Sequence, residues 1–123
     1  MTDLEALSKT TRINALFDFY QTLLTEKQAT FLRYYFHENF SLGEIAAEFE
    51  ISRQAVYEHI KRAERVLEDY EEKLHLLAQY ERRQQLLQSL LQEAEGGRQR
   101  EELLRIAREL INLDMIDDEV IEE

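Results

Sequence analysis

The sequence predicts an all-α protein, and three observations lead to that fold class. The 123 residues include no proline and only three glycines, so few residues that break a helix are present. Leu, Glu, Gln, Ala and Arg, which all favour helices, are abundant. Apolar residues recur at spacings of three and four along most of the chain, as expected when each helix buries one face. We therefore expect a helical domain followed by a helical extension.

The first helix is predicted from Thr11 to Leu24, with Thr10 or Thr11 as its cap. The stretch Thr25-Glu26-Lys27-Gln28 has the form of a capping box, which predicts that a second helix begins there. The second helix should end within residues 37–40. Residues at helical spacing form the buried face of the first helix: Ile13, Leu16, Phe17, Tyr20, Leu23 and Leu24.

An aromatic cluster on the second helix is interpreted as core packing rather than as a platform for stacking bases. The cluster consists of Phe31, Tyr34, Tyr35, Phe36 and Phe40. The residues expected on the inward face of the helix are Ala29, Leu32, Tyr35 and Phe36.

The next two helices are separated by three residues, the tight connection of a helix-turn-helix. Ser41-Leu42-Gly43-Glu44 is a second capping box and begins the third helix. Ser52 is the expected cap of a fourth helix, so the recognition helix of the motif should begin at Arg53. Glu50 stands where glycine is usual, because the backbone of the turn has a positive φ at this position; a non-glycine residue costs about 1 kcal/mol there.

The fourth helix has no obvious stop before Gly96-Gly97, although a change of phase predicts a bend or break near residues 78–84. We divide the chain into a helix-turn-helix domain, residues 1–75, and a helical extension, residues 76–123. The extension includes the Gly96-Gly97 break, a helix over 98–112 and an acidic tail. A heptad seam runs along positions 56, 60, 63, 67, 70, 74 and 77.

The seam and its continuation over residues 76–94 have two interpretations. The seam can pack on the first two helices of its own chain, or the continuation can pair two protomers or bind the terminal helix. We favour a homodimer, since two copies present two recognition helices.

Charge is distributed unevenly along the chain, whose formal net charge is −11. Residues 1–50 hold four basic and eight acidic side chains (net −4), and residues 68–123 hold seven and sixteen (net −9). Residues 51–67, with four basic and two acidic side chains, are the only basic segment (net +2). Because salt screens charges beyond roughly 8 Å, a local basic face can still bind a nucleic-acid backbone within an acidic chain.

Several classes of site are not indicated by the sequence. The chain has no cysteine, and His37, His59 and His75 are far apart in sequence, so we expect neither a metal site nor another cofactor. No nucleophile stands in an elbow or phosphate-loop context, and we expect no enzymatic activity. No apolar run approaches the ~18 residues of a membrane span, so we expect a cytoplasmic protein without membrane insertion.

Residues 24–67, and most specifically SLGEIAAEFEISRQAVYEHIKRAE, resemble the promoter-reading C-terminal domain of bacterial sigma factors. Over roughly residues 10–95 the chain is similar to the YlxM family of small helix-turn-helix proteins from Gram-positive bacteria. Genes of that family typically lie beside those for the signal recognition particle protein and its receptor. The resemblance therefore implies a non-enzymatic regulator connected with the signal recognition particle pathway, with that protein or its receptor as a candidate partner.

If the fourth helix enters a major groove, the exposed residues of its N-terminal half bind DNA or RNA. Arg53 can contact a guanine edge or a phosphate, Gln54 can pair with adenine, and Tyr57 can contact a sugar or a thymine methyl. The expected nucleic-acid-binding residues are Ser52, Arg53, Gln54, Tyr57, Lys61, Arg62 and Arg65.

Two alternatives remain at this point. The same residues can form a solvated helix face in which Ser52 acts only as a cap. The protein can also be an adaptor that binds a component of the signal recognition particle pathway without reading DNA.

Overall fold

The computed structural model describes residues 3–96 and 100–113. In those ranges no strand occurs, which confirms the predicted all-α class. The helices are α1 (Asp3–Tyr20), α2 (Glu26–Leu32), α3 (Leu42–Phe49), α4 (Arg53–Leu74), α5 (Leu76–Glu95) and α6 (Arg100–Leu113), with a 3-10 turn (Gln21–Leu23) and a π-helical turn (Arg33–His37). The chain divides into two compact units, Met1–Leu77 and Ala78–Glu123. Gly97 and the acidic tail lie outside the described residues.

Both predicted capping boxes are present, and they fix the starts of α2 and α3. The Thr25 hydroxyl accepts from the Gln28 N–H (3.1 Å), and the Gln28 side chain accepts from the Thr25 N–H (3.0 Å). Ser41 and Glu44 make the same reciprocal pair, with both distances 3.0 Å. Each cap satisfies backbone donors that the helix itself leaves open and stabilises it by about 1 kcal/mol.

The predicted start of α1 at Thr11 is wrong, because the helix begins eight residues earlier, at Asp3. Thr11 is not a cap; its hydroxyl donates to the Leu7 carbonyl one turn back (2.9 Å). Acidic Asp3 and Glu5 in the first turn favour the earlier start, since they complement the positive end of the helix dipole. The extra turns bring the Lys9 ammonium to 3.6 Å from Glu64 of α4.

The π-helical turn after α2 changes which aromatic residues are buried. The Glu38 N–H donates to the Arg33 carbonyl, five residues back (3.0 Å), so one extra residue enters this turn. One residue corresponds to a rotation of about 100° on a helix. Tyr35, predicted to face inward, is 36% exposed, whereas Phe31 is fully buried. The Phe31 ring stacks on the His59 ring of α4, with 4.9 Å between centroids.

The core of the first unit forms where α1, α2 and α3 pack against α4. The first part of the predicted heptad seam, positions 56, 60, 63 and 67, is buried in this core. That part of the seam therefore packs within its own chain. Fully buried side chains in the core include Leu16, Tyr20, Phe31, Leu32, Ile45, Val56 and Leu67.

The turn between α3 and α4 has the positive φ that the sequence indicates. Glu50 adopts φ 56°, and its N–H donates to the Ala46 carbonyl. The same carbonyl accepts from the Ile51 N–H (3.1 Å), which closes the end of α3. Ile51 is partly buried against the core, so the turn holds both helices of the motif in place.

The end of α4 is set by a buried carboxylate, not by the predicted break near residues 78–84. Glu71 is only 7% exposed, and its Oε1 accepts from the Tyr20 hydroxyl (2.6 Å) and from the Leu77 N–H (3.0 Å). The Tyr20 oxygen in turn accepts from the Leu76 N–H (3.1 Å). These bonds satisfy the backbone N–H groups of Leu76 and Leu77 at the start of α5. His75, between the two helices, has φ 58°.

In the second unit, α5 and α6 form a hairpin. α5 ends at Glu95 and α6 begins at Arg100, and the Arg82 guanidinium lies 2.8 Å from the Glu109 carboxylate. Leu86 of α5 and Ile106 of α6 are buried. The terminal helix predicted over 98–112 is therefore present as α6 and lies against α5 of the same chain.

Tyr20→Phe is expected to lower the free energy of unfolding by about 1–3 kcal/mol, because it leaves buried Glu71 without one donor and the Leu76 N–H without its acceptor. The matched control is Tyr70→Phe. The Tyr70 ring stacks on Tyr20, but its hydroxyl donates to the Leu23 carbonyl in an exposed position, so a smaller loss is expected. Urea unfolding measures both variants, and equal losses would contradict this account of the end of α4.

The same pair makes stability depend on pH in the alkaline range. Burial and the hydrogen bond to Glu71 raise the pKa of Tyr20 above 10.0. The unfolded chain then releases this proton from about pH 10, while the folded chain keeps it, so stability falls as pH rises through that range. Tyr20→Phe should reduce this fall. An identical pH dependence in both proteins would exclude the assignment.

Glu50→Gly is expected to raise the free energy of unfolding by about 0.5–1 kcal/mol, since glycine adopts the positive φ without steric cost. Glu50→Gln is the control, because it removes the charge and keeps the Cβ atom, and it should leave stability nearly unchanged. Thermal unfolding tests both. A gain of equal size for Glu50→Gln would show that charge, not backbone strain, is the cause.

Candidate nucleic-acid interface

The structure confirms the cap at the start of the recognition helix. Ser52 is exposed, and its Oγ accepts from the Ala55 N–H (3.0 Å). The hydroxyl can still donate its own proton to a phosphate oxygen. The first N–H groups of the 22-residue helix α4 lie beside it and favour an anion.

All seven residues predicted to bind nucleic acid lie at the cap of α4 or on the surface of its first 13 residues, Arg53 to Arg65. Lys61 is partly buried, and the other six are exposed. Val56, Ile60 and Ala63, on the opposite side of the helix, are buried in the core. The exposed side therefore has a fixed orientation relative to α1, α2 and α3. A shallow surface groove on this side is lined by Gln54, Tyr57, Glu58, Lys61, Arg62, Glu64 and Arg65.

Two of the four basic residues are already engaged within the chain. The Lys61 ammonium lies 3.6 Å from Glu64 and 5.4 Å from the centre of the Tyr57 ring. The Arg62 guanidinium is 3.2 Å from Nδ1 of His59. Glu64 partly compensates the charge of Lys61, so this ammonium attracts a phosphate less strongly than a free cation would, whereas the contact with His59 occupies a donor of Arg62 without compensating its charge.

Arg53 and Arg65 differ from these two because, in the part of the chain that the structure describes, neither forms an ion pair or a side-chain hydrogen bond. The Arg53 side chain lies over the first turn of α3, and its Nε would be 3.8 Å from a Cβ placed on Gly43. A side chain at position 43 would therefore be in van der Waals contact with Arg53. Arg53 and Arg65 are thus the strongest candidates for phosphate contacts.

Acidic and neutral groups limit the positive potential of this surface. The Gln54 side-chain amide donates to Glu58 (3.3 Å), so Glu58 occupies one donor that reading an adenine would need. Burial, together with repulsion from Lys27 and Arg62, lowers the pKa of His59 below 6.5. The imidazole is therefore neutral at pH 7 and adds no charge. Any binding must rest on a few cations rather than on a broad basic patch.

Two further residues of this region, Glu64 and Lys9, form contacts that their own positions in the sequence do not indicate. Glu64 is 9% exposed and lies 3.6 Å from both Lys9 and Lys61. It links the first helix to the recognition helix and holds Lys61. The acidic first turn of α1 was the available signal, because it predicts a helix long enough for Lys9 to reach α4.

An apolar groove of about 260 Å³ adjoins the same helix. Its walls come from α1, the π-helical turn, α3 and α4. On α1 nearby in sequence, Leu4 and Leu7 are 76% and 64% exposed. The groove is lined by Ala6, Lys9, Thr10, Tyr35, Phe36, Leu42, Tyr57, Ile60 and Lys61. It offers apolar contact area next to Lys61 of the recognition helix and Lys9 of α1.

Two further features do not occur in residues 3–96 and 100–113. No group of three or more His, Cys, Asp or Glu side chains that could hold a metal ion lies together in these ranges. None of the helices found there is long and apolar enough to cross a membrane.

Comparison with known proteins agrees with the helix-turn-helix geometry and extends beyond it. The family model described as "Putative helix-turn-helix protein, YlxM / p13 like" matches residues 7–106, which cover most of the first compact unit and part of the second. The UPF0122 protein BH2485 of Halalkalibacterium halodurans is 53% identical over 108 residues, 88% of this chain and 99% of that protein. The UPF0122 protein YlxM of Bacillus subtilis is 50% identical over 109 residues, 89% of this chain and 99% of that protein. The chain therefore belongs to the UPF0122 family of YlxM- and p13-like helix-turn-helix proteins.

Proposed function

We propose that this protein is a non-enzymatic cytoplasmic regulator that binds nucleic acid through the N-terminal half of α4. The observation that supports the proposal most is the state of the two arginines. Arg53 and Arg65 are exposed on the recognition helix, and neither is neutralised by an ion pair among the described residues. The core side of the same helix is rigidly packed, so these guanidinium groups start from a defined position.

The proposed mode of binding places the start of α4 in a major groove. The major groove of B-DNA admits an α-helix, whose first residues then reach the base edges. Arg53 contacts a guanine edge or a phosphate at the mouth of the groove, and Ser52 donates to a phosphate. Tyr57 contributes a sugar or thymine-methyl contact, while Arg65 contacts the backbone about three turns further along the helix.

The number of cations sets the expected strength and salt dependence of binding. With at most four cations on this face, the logarithm of affinity should fall against the logarithm of salt concentration with a slope of about −3 to −4. Lys61 and Arg62 must first release Glu64 and His59, so the slope lies at the shallow end. Binding of this kind is modest on its own and gains from a second recognition helix in the same particle.

We infer that this nucleic-acid binding takes place in the signal recognition particle pathway. The link comes from the YlxM resemblance and the usual gene neighbourhood of that family, so it indicates a pathway and not a particular site. The binding experiment therefore uses an RNA of that particle as well as a duplex DNA.

A second candidate function, a protein adaptor in the same pathway, is supported by the apolar groove. Leu4 and Leu7 are exposed, and Tyr35 and Phe36 line the groove beside α1. Apolar area of this kind fits a protein partner better than a phosphate backbone. An adaptor that uses this surface would lose its partner on Leu7→Ser and keep it on Arg65→Ala.

Arg53→Ala and Arg65→Ala are expected to weaken nucleic-acid binding several-fold each, and each should make the salt slope shallower by roughly one unit. Fluorescence anisotropy with a duplex DNA and with a signal-particle RNA, from about 50 to 200 mM salt, measures both effects. The control is Arg108→Ala on α6, which removes another exposed arginine outside the first unit and should change neither quantity.

The outcomes separate the two functions. Absence of binding to either nucleic acid by the folded wild-type protein would contradict the proposal. Equal weakening by Arg108→Ala would show that attraction is non-specific. Recovery of a protein partner from nuclease-treated cytosol of the source organism, lost on Leu7→Ser alone, would favour the adaptor.

A further inference from the structure

The imidazole of His59 joins α4 to α2 at the side of the recognition helix. Its ring stacks on the fully buried ring of Phe31, with 4.9 Å between the centroids and 6° between the ring planes. On α4, Nδ1 of His59 lies 3.2 Å from the Arg62 guanidinium. On α2, Lys27 is exposed and stands four residues before Phe31, so it lies one turn away on the same side of that helix. Two helices therefore bring one cation each to the same imidazole.

The charges around this imidazole are unbalanced. Burial, followed by the positive charges of Lys27 and Arg62, lowers the pKa of His59, whereas Glu58 of α4 acts in the opposite direction. Glu58 also accepts a hydrogen bond from Gln54 on its own helix (3.3 Å). Within residues 3–96 and 100–113, neither Lys27 nor Arg62 forms an ion pair. An anion beside the two cations would therefore relieve a repulsion that the folded chain leaves uncompensated.

The position of the two cations favours a backbone phosphate as this anion. Arg62 lines the shallow surface groove of the candidate interface. Lys27 stands near the start of α2, which packs against α4. A helix that lies in a major groove has a sugar-phosphate backbone on each side, so a neighbouring helix can reach the backbone that the recognition helix passes. Arg62 offers planar donors to a phosphate, and Lys27 adds a point charge.

We propose that Lys27 and Arg62 bind one backbone phosphate of the nucleic acid together, next to the imidazole of His59. The inference rests on the proposed nucleic-acid binding and extends that interface from α4 to α2. Lys27 is then a binding residue in addition to those of the recognition helix.

Binding of this phosphate is coupled to the protonation of His59. A guanidinium has no acceptor, so Nδ1 of the neutral ring accepts from Arg62 and the ring proton is on Nε2. A proton on Nδ1 ends this contact and frees the Arg62 donor for the phosphate. The phosphate in turn favours the imidazolium, so the pKa of His59 rises in the complex. Because the complex then holds more protons than the free protein, affinity increases as pH falls.

Fluorescence anisotropy of the full chain tests the inference with a 20-base-pair duplex and a signal-particle RNA, from about 50 to 200 mM salt. Lys27→Gln should weaken binding several-fold and make the salt slope shallower by roughly one unit. The matched control is Lys73→Gln, which removes an exposed lysine from the last turn of α4 and should change neither quantity.

The pH dependence of binding gives a second readout. The affinity of the wild-type protein should rise several-fold between about pH 7.5 and 5.5. His59→Gln should lose most of this rise, and the control His75→Gln, at an exposed histidine, should keep it. Nuclear magnetic resonance of the wild-type ring signals needs no variant, and it should give a higher pKa for His59 in the complex than in the free protein.

The outcomes distinguish failure of this inference from failure of the proposed function. Equal effects of Lys27→Gln and Lys73→Gln, with binding by the wild-type protein intact, would overturn the inference and leave binding by α4 in place. A pKa of His59 that is the same in the free and the bound protein would do so too. Absence of wild-type binding to both nucleic acids would overturn the inference together with the proposed function.

Discussion

The packing of one side of α4 against α1, α2 and α3 is the interaction on which the rest of the structure depends. Val56, Ile60, Ala63 and Leu67 are buried on that side. Because they fix the helix about its own axis, they also fix the direction in which the opposite side points. Burial of these apolar side chains thus orients the polar residues on the other side of the recognition helix. The same helix therefore contributes to both the core and the candidate interface.

The candidate interface is a compromise between charge and packing. Lys61 lies beside Glu64, a mostly buried carboxylate. Glu64 also contacts Lys9, so the same carboxylate joins α1 to α4. His59 is held neutral by burial against Phe31 and by nearby cations. What remains for a ligand is a small number of exposed guanidinium groups in an acidic chain. Specificity and affinity then depend on local geometry and on how many recognition helices act together.

The sequence predicted most reliably those features that are determined by neighbouring residues. The capping boxes at Thr25 and Ser41, the cap at Ser52 and the positive φ of Glu50 each depend on residues within a few positions, and all were confirmed. Local hydrogen bonds leave a local signature in residue type and spacing, so a single sequence is sufficient to find them.

The features that could not be predicted from the sequence depend on contacts between residues that are far apart in the chain. α4 ends at Leu74 because Glu71 binds Tyr20, which is 51 residues away in the chain. The exposure of Tyr35 follows from a π-helical turn that residue type does not mark. The contact of Lys9 with Glu64 also joins residues that are 55 positions apart in the chain, whereas the pairing of Lys61 with Glu64 is a local i,i+3 contact.

The central claim is that the surface formed by the start of α4 meets nucleic acid. Nuclear magnetic resonance of the isotope-labelled full chain, titrated with a 20-base-pair duplex and with a signal-particle RNA at about 100 mM salt, tests it most directly. We expect amide shifts concentrated between Ser52 and Arg65, with little change along the first turns of α1 and on α6. Shifts confined to the part of the apolar groove formed by Ala6, Tyr35 and Phe36, or no shifts with either ligand, would contradict the claim.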